Sequence, residues 1–157
     1  MTDYITSDLH LAHRNIIRYC SRPFSSVEEM DRTLIQNWND TVMPDDTVYF
    51  LGDLTIKRTR FYTYLEALNG IKVLVKGNHD PDTEGIPVML IKNLSGIPVL
   101  FIHSPHDIPD DYDGWVIHGH SHNNTEYINH DTKRVNVSVE NTGYRPVALE
   151  EIVGAIV

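Results

Sequence analysis

The feature that most constrains the fold is a repeated pairing of a short apolar run with a cluster of polar residues. The runs are rich in β-branched and aromatic residues, as buried strands are, and cover residues 4–6, 47–51, 71–75, 99–102 and 115–117. The clusters that follow them contain Asp8 and His10, Asp53, residues 78–80, His103, and His120 with His122. Since ligands of α/β folds gather beyond the carboxyl ends of strands, we expect these five clusters to converge on one crevice.

The clustered side chains are carboxylates, a carboxamide and imidazoles, which are N and O donors suited to divalent metals, and they include no thiolate. Gly52, Gly77 and Gly119 each precede a candidate ligand, where a residue without Cβ permits a positive φ and a close approach to an ion. Taken singly, Asp8-x-His10 is also typical of a turn or helix cap, and residues 77–81 of an ordinary turn. Five such motifs in order favour a metal site.

Between the motifs the sequence predicts helices first and strands later. Ser26 and Glu29 resemble a capping box that opens a helix to about Asp40, and a second helix is expected over Thr59–Leu68. Short strands are predicted at residues 87–91, 99–103, 115–118, 125–128 and 134–139, and a last short helix over 149–157. This order predicts two sheets packed face to face with helices outside, in a single domain over residues 1–157.

The motif set resembles that of the calcineurin-like metallophosphoesterases, from Asp8-x-His10 and Gly52-Asp53 through residues 77–80 and His103 to residues 119–122. Three further stretches resemble the small, single-domain bacterial and phage-type members: residues 13–17, 22–25 and 144–147. The resemblance implies an α/β fold, a four-layer α/β/β/α sandwich of two mixed sheets with helices outside. It also implies a phosphodiesterase or phosphatase.

The resemblance further implies a dinuclear metal centre whose ions activate a metal-bound hydroxide as nucleophile. Its ligands are Asp8, His10 and His122 for one ion, Asn78, His103 and His120 for the other, and Asp53 as the bridge. Mn²⁺ is the first choice of metal, while Fe, Ni²⁺, Co²⁺ and Zn²⁺ also suit these donors. His79 has no metal in this scheme and is the predicted catalytic residue, which stabilises or protonates the departing oxygen.

The predicted substrate is a small phosphodiester or a nucleotide-like phosphomonoester. In the family's protein phosphatases, the glycine-aspartate motif is followed by an acid and an arginine. This chain has Ile56 and Lys57 at those two positions, so a phosphoprotein substrate is disfavoured. His13, Arg14 and Asn15, directly past the first motif, are the predicted substrate contacts, with Lys57, Arg58 and Arg60 as the alternative.

The composition narrows the function classes. The formal net charge of −9 disfavours a wide surface for nucleic acid, because phosphate backbones require clustered Lys and Arg. A single cysteine allows no intrachain disulfide, and no apolar run approaches the ~20 residues of a membrane span, so we predict a soluble cytoplasmic protein.

Two rival hypotheses remain open: a non-catalytic metal-binding scaffold of the same fold, and a nuclease acting on single-stranded nucleic acid. The oligomeric state is not predicted.

Overall fold

Nine strands form two mixed sheets in the computed structural model, which describes residues 1–157. In chain order they are β1 (Asp3–Thr6), β2 (Thr47–Phe50), β3 (Ile71–Leu74), β4 (Met89–Leu94), β5 (Ile97–Ile102), β6 (Trp115–His118), β7 (Ile128–Asn129), β8 (Arg134–Asn136) and β9 (Val147–Ala148). The first sheet has the order β3-β2-β1-β9, with only β9 antiparallel to its neighbour. The second has the order β4-β5-β6-β8-β7, in which β5, β6 and β8 are parallel.

The helices are α1 (Arg14–Tyr19), α2 (Val27–Thr41), α3 (Phe61–Ala67) and α4 (Leu149–Ile156). The predicted cap of α2 is confirmed, because the Ser26 side chain accepts a hydrogen bond from the Glu29 N–H. The Glu29 carboxylate accepts from the N–H of Ser25 at 3.0 Å rather than from that of Ser26. No helix of the protein is both long and apolar enough to cross a membrane.

Two apolar cores hold the layers together. On the outer face of the first sheet, Val48 and Phe50 of β2 pack with Leu34 and Trp38 of α2 and with Phe61 of α3. Between the sheets lies a second core, formed by Ile5, Leu51, Val75, Val99, Phe101, Ile117, Val135 and residues of α4. The structure therefore confirms an α/β fold of two mixed sheets packed face to face.

The outer face of the second sheet carries a loop in place of an α-helix. Leu100, Ile102 and Val116 on this face are buried, and Ile108 and Tyr112 pack against them. Both covering residues belong to the segment 104–114, whose only regular element is one 3₁₀ turn, Pro105–Asp107. The fourth layer of the sandwich is thus thin on this side.

The strand predicted over residues 125–128 is wrong for most of its length, since only Ile128 and Asn129 pair with β8. The Asn136 side chain donates hydrogen bonds to the His122 carbonyl and to the Thr125 hydroxyl at 2.9 and 2.8 Å. These side-chain bonds hold residues 122–125 in a turn, because they replace the ladder that a strand would need. The other predicted strands and the three predicted helices are present with shifted ends.

Candidate metal centre

Five loops bring the predicted ligands together at one edge of the two sheets. β1, β2 and β3 of the first sheet and β5 and β6 of the second end there, as the sequence predicts. Donor atoms of Asp8, His10 and His122 all lie within 4.8 Å of one another, and those of Asp53, His103 and His120 do so as well. Asn78 joins them through its Oδ1 atom, which lies 2.8 Å from His103 Nε2. All seven predicted ligands therefore face one crevice.

The backbone of this crevice is strained in a distinctive way. Ten non-glycine residues in the protein have positive φ, and five of them are predicted ligands: Asp8 (63°), His10 (54°), Asp53 (59°), His120 (66°) and His122 (48°). Each such conformation costs on the order of 1–3 kcal/mol and persists only where the surrounding structure imposes it. Concentrated at one site, this strain is typical of a functional centre.

The glycines before the ligands serve a partly different purpose from the one expected. Gly52 has the predicted positive φ, at 99°, but for Gly77 and Gly119 the prediction of positive φ is wrong. Their role is to leave space, since a Cβ at Gly119 would overlap the Ser7 and Asp8 side chains. A Cβ at Gly77 would overlap Asp53 in the same way. Close approach of the loops to the two carboxylates therefore requires glycine at both positions.

The imidazoles are oriented by hydrogen bonds on the side away from the crevice. His103 Nδ1 lies 2.7 Å from the Leu51 carbonyl, and His122 Nδ1 lies 3.0 Å from Glu140 Oε2. Each contact places an N–H on Nδ1 and leaves Nε2, the atom that would bind a metal, facing the carboxylates. This is the arrangement of metal-binding histidines, which almost always donate their second N–H to a carboxylate or carbonyl. The donor set and its outer hydrogen bonds fit divalent cations.

A buried ion pair missed by the sequence analysis joins the first and last ligand loops. Arg22 donates to Glu140 Oε2 through Nε at 2.9 Å, and its Nη2 atom lies 2.8 Å from the same oxygen as part of the ion pair. The same guanidinium donates to the carbonyls of Asp8 (2.8 Å) and Leu9 (2.7 Å). Since Glu140 also accepts from His122, one pair fixes both loops at once. Arg22 was noted only as part of a family resemblance, and no motif singled out Glu140.

Asp80 holds the Asp53 loop in place. Its carboxylate accepts hydrogen bonds from the backbone N–H groups of Asp53 (3.0 Å), Leu54 (3.1 Å) and Gly77 (2.8 Å). The residue is 3% exposed, so these three bonds compensate the burial of its charge. Asp80 is therefore a positioning residue that ties the second cluster to the third.

Asp53 itself orients His79. The His79 N–H donates to Asp53 Oδ1 at 2.8 Å, and its ring Nδ1 lies 2.9 Å from Asp53 Oδ2. The ring remains 38% exposed and lies 5.3 Å from the His10 ring, centre to centre. With Nδ1 directed to the carboxylate, Nε2 is the ring atom available to a substrate. Sequence analysis gave no orienting group for His79, because Ile56 occupies the position of the acid in the family's protein phosphatases.

A comparison with known families agrees with this geometry. The family model for calcineurin-like phosphoesterases matches residues 1–138, which include all five clusters of predicted site residues, from Asp8 to His122. The chain belongs to the calcineurin-like phosphoesterase family. The match covers most of the chain and both sheets apart from β9.

Two relatives of this phosphoesterase family member match almost its whole length. Uncharacterized protein MJ1445 of Methanocaldococcus jannaschii is 47% identical, over 98% of this chain and 90% of its own. The crystal structure of AQ665 from Aquifex aeolicus, a protein of unknown function, is similar with a TM-score of 0.74 and 27% identity, covering 99% of both chains. A structure of Vps29 from Entamoeba histolytica complexed with Zn²⁺ shares the fold at a TM-score of 0.52, with 19% identity over 87% of this chain and 73% of that one.

The three predicted substrate contacts are divided between two places. The His13 ring lies at the centre, with Nδ1 3.1 Å from His10 Nδ1 and its ring centre 6.3 Å from that of His79. Arg14 and Asn15 instead line a cavity of about 510 Å³ with residues 25–27, and no predicted ligand borders that cavity. The role of all three in substrate binding stays a prediction.

The buried carboxylates control the protonation of the imidazoles. Burial alone would lower the pKa of His103, but hydrogen bonding to Asp53 and the charge of Asp8 raise it to about 9. Burial is likewise outweighed at His122, where hydrogen bonds with Cys20 and Glu140 raise the pKa to about 10. Although burial opposes ionisation of Asp8, the His10 ring and neighbouring imidazoles lower its pKa to about 2. In the metal-free protein the carboxylates are therefore balanced by imidazolium groups.

This balance predicts a loss of stability at high pH for the metal-stripped protein. The pKa values of His103 and His122 are raised above the value of about 6.5 in the unfolded chain. Their contribution to the free energy of unfolding is therefore fully present below about pH 6.5 and is lost as the pH rises through 9 and 10. We expect the unfolding temperature, measured by calorimetry, to fall between pH 7 and pH 10. His103→Gln should reduce the fall, and a flat profile in the wild type would contradict the assignment.

Proposed function

We propose that this protein hydrolyses small phosphoesters with two divalent metal ions. The observation that carries the proposal is the position of Asp53 between two groups of donors. Its Oδ2 atom lies 3.4 Å from His10 Nε2 on one side and 3.3 Å from His103 Nε2 on the other. A carboxylate shared in this way fits a bridge between two cations, which two-metal hydrolases hold roughly 3.5–4 Å apart.

In this proposal the ligands divide as the family resemblance implies: Asp8, His10 and His122 for one ion, Asn78, His103 and His120 for the other, and Asp53 for both. Two bound cations would supply a water of lowered pKa and positive charge at the phosphate oxygens. His79 would donate a proton from Nε2 to the departing alcohol oxygen, and Asp53 holds its ring for this step. In this proposal the His13 ring, whose centre lies 6.3 Å from that of His79, would contact a phosphate oxygen.

The substrate we propose is a small phosphodiester or a nucleotide-like monoester, handled in the cytoplasm. The acidic composition supports a small substrate, because an extended nucleic acid needs a basic surface. Mn²⁺ is our first choice of metal. Zn²⁺ must be compared with it, since a protein of the same fold, the Entamoeba Vps29, has been solved with that ion.

The experiment that tests this proposal measures hydrolysis by metal-stripped protein, with and without added Mn²⁺, Zn²⁺, Ni²⁺ or Co²⁺. The substrates are bis(4-nitrophenyl) phosphate and 4-nitrophenyl phosphate. Metal-dependent turnover of either ester supports the proposal, and the preferred ester identifies the class. Two bound metals without turnover would overturn it in favour of a metal-binding scaffold, and cleavage of a single-stranded oligonucleotide alone would favour a nuclease.

Glu140→Gln should weaken metal binding without unfolding the protein. The substitution keeps the side-chain volume but removes the charge that orients His122 and pairs with Arg22. Loss of such an outer partner typically costs about 10–100-fold in metal affinity. Isothermal titration with Zn²⁺ measures this directly, and Glu150→Gln, on the exposed side of α4, is the matched control. Equal affinities in both variants would rule out the orienting role.

A further inference from the structure

A cavity of about 440 Å³ opens directly beside the candidate metal centre. One wall consists of three predicted ligands, Asn78, His103 and His120. The apolar part of the lining consists of Val88, Met89 and Ile102, at the start of β4 and the end of β5. The cavity is therefore continuous with the site where the proposed function places a phosphate group.

The apolar wall is unusual for a surface next to a polar centre. Val88 is 60% exposed, although it lies within a cavity shared with imidazoles. Met89 and Ile102 belong to the outer face of the second sheet, which only a loop covers. Small-molecule sites have this composition, with an apolar lining and a few convergent polar groups. Here Lys76 and Asp107 supply further polar groups to the lining.

The size of the cavity indicates what could fill it. Its volume lies within the range of about 300–1,000 Å³ that is typical of small-molecule sites. A methyl or ethyl ester would leave most of that space unfilled. A nucleoside would fit, with its base against Val88 and the Met89 thioether, since sulfur contacts aromatic rings favourably. The larger cavity at Arg14 borders no predicted ligand and has no such link to the phosphate.

We propose that this cavity binds the ester group that stays on the phosphate during hydrolysis, and that this group is nucleoside-sized with an aromatic face. The inference rests on the proposed function, because it assumes that the phosphate lies on the metal centre. It goes further by assigning the substrate class to named residues outside the ligand set. Val88 and Met89 are then specificity-determining residues, and their truncation should weaken binding of the nucleoside and leave the metal centre intact.

The test compares two esters with the same leaving group, thymidine 5′-(4-nitrophenyl) phosphate and methyl 4-nitrophenyl phosphate. The wild type should prefer the nucleoside ester by about 10-fold or more in kcat/KM, the scale of discrimination in an apolar pocket. Val88→Ser and Met89→Ala should reduce this preference through a higher KM for the nucleoside ester alone. Ile91→Ser is the matched control, because Ile91 is 62% exposed on the same strand and lies outside the cavity.

Failure of this inference is distinguishable from failure of the proposed function. If both esters are hydrolysed with equal kcat/KM, or if the two variants keep the full preference, the cavity has no such role and the hydrolase proposal stands. If neither ester is hydrolysed, calorimetric titration with thymidine 5′-monophosphate and with inorganic phosphate still measures whether the cavity binds a nucleoside. Tighter binding of the nucleotide that Val88→Ser weakens supports the inference, and equal binding of the two ligands overturns it.

Discussion

Replacing Asp53 by asparagine is expected to remove metal binding and catalysis together. Asp53 is 1% exposed, and its carboxylate faces His10, His79 and His103 at 3.4, 2.9 and 3.3 Å. An amide has the same shape but lacks the negative charge and the second acceptor oxygen that a bridging ligand needs. We expect kcat/KM to fall by roughly 10³-fold or more, comparable with the loss of a principal catalytic group.

Metal content measured by plasma mass spectrometry, alongside turnover of bis(4-nitrophenyl) phosphate, checks this prediction. Asp110→Asn, at an exposed position of the 104–114 loop, is the control, and it should retain both properties. Far-ultraviolet circular dichroism tests whether the Asp53 variant is folded. A folded Asp53→Asn protein with two metals and full turnover would refute the bridging role.

Replacing His79 by alanine is expected to abolish turnover but to leave metal binding intact, unlike the Asp53 substitution. The His79 ring is hydrogen-bonded to Asp53, but its side chain is 38% exposed, so its removal leaves the seven predicted ligands in place. A general acid contributes about 10²–10⁴ in rate. The loss should depend on the ester, because 4-nitrophenolate leaves without a proton and an alkoxide does not.

The most informative measurement therefore compares hydrolysis of an aryl phosphoester with hydrolysis of an alkyl phosphoester. For His79→Ala we expect a much larger loss of kcat on the alkyl ester, with KM nearly unchanged. His106→Ala is the control, because His106 is an exposed imidazole whose ring centre lies 6.0 Å from that of His120. Equal losses on both esters would show that His79 acts by binding and not by proton donation.

The ligand cluster could be predicted from the sequence because strand ends are local features. Asp8, Asp53 and His103 each follow an apolar run, and parallel strands bring such positions to one edge. The Arg22 and Glu140 pair could not be predicted in this way, since 118 residues separate the two and Glu140 stands in no motif. The contact between Asp53 and His79 was also missed, because it depends on the turn that Asp80 imposes on the backbone.

The fold shows the same division between local and long-range information. The Ser26 cap and the apolar face of α2 follow from residues close in sequence, and both were predicted. The truncation of β7 follows from Asn136, a side chain that bonds across to residues 122 and 125. Likewise, only the assembled sheet shows that residues 104–114, and not a helix, cover Leu100 and Val116.

The left-handed backbone at five predicted ligands has a consequence for protein engineering. Glycine adopts such conformations without strain, so a substitution to glycine at Asp8, His10 or Asp53 would relieve a local cost and delete a ligand in the same step. Stability measurements at these positions therefore need to be paired with a measurement of metal content. Libraries built on this chain should hold the five positions constant and seek added stability on the exposed faces of α2 and α4.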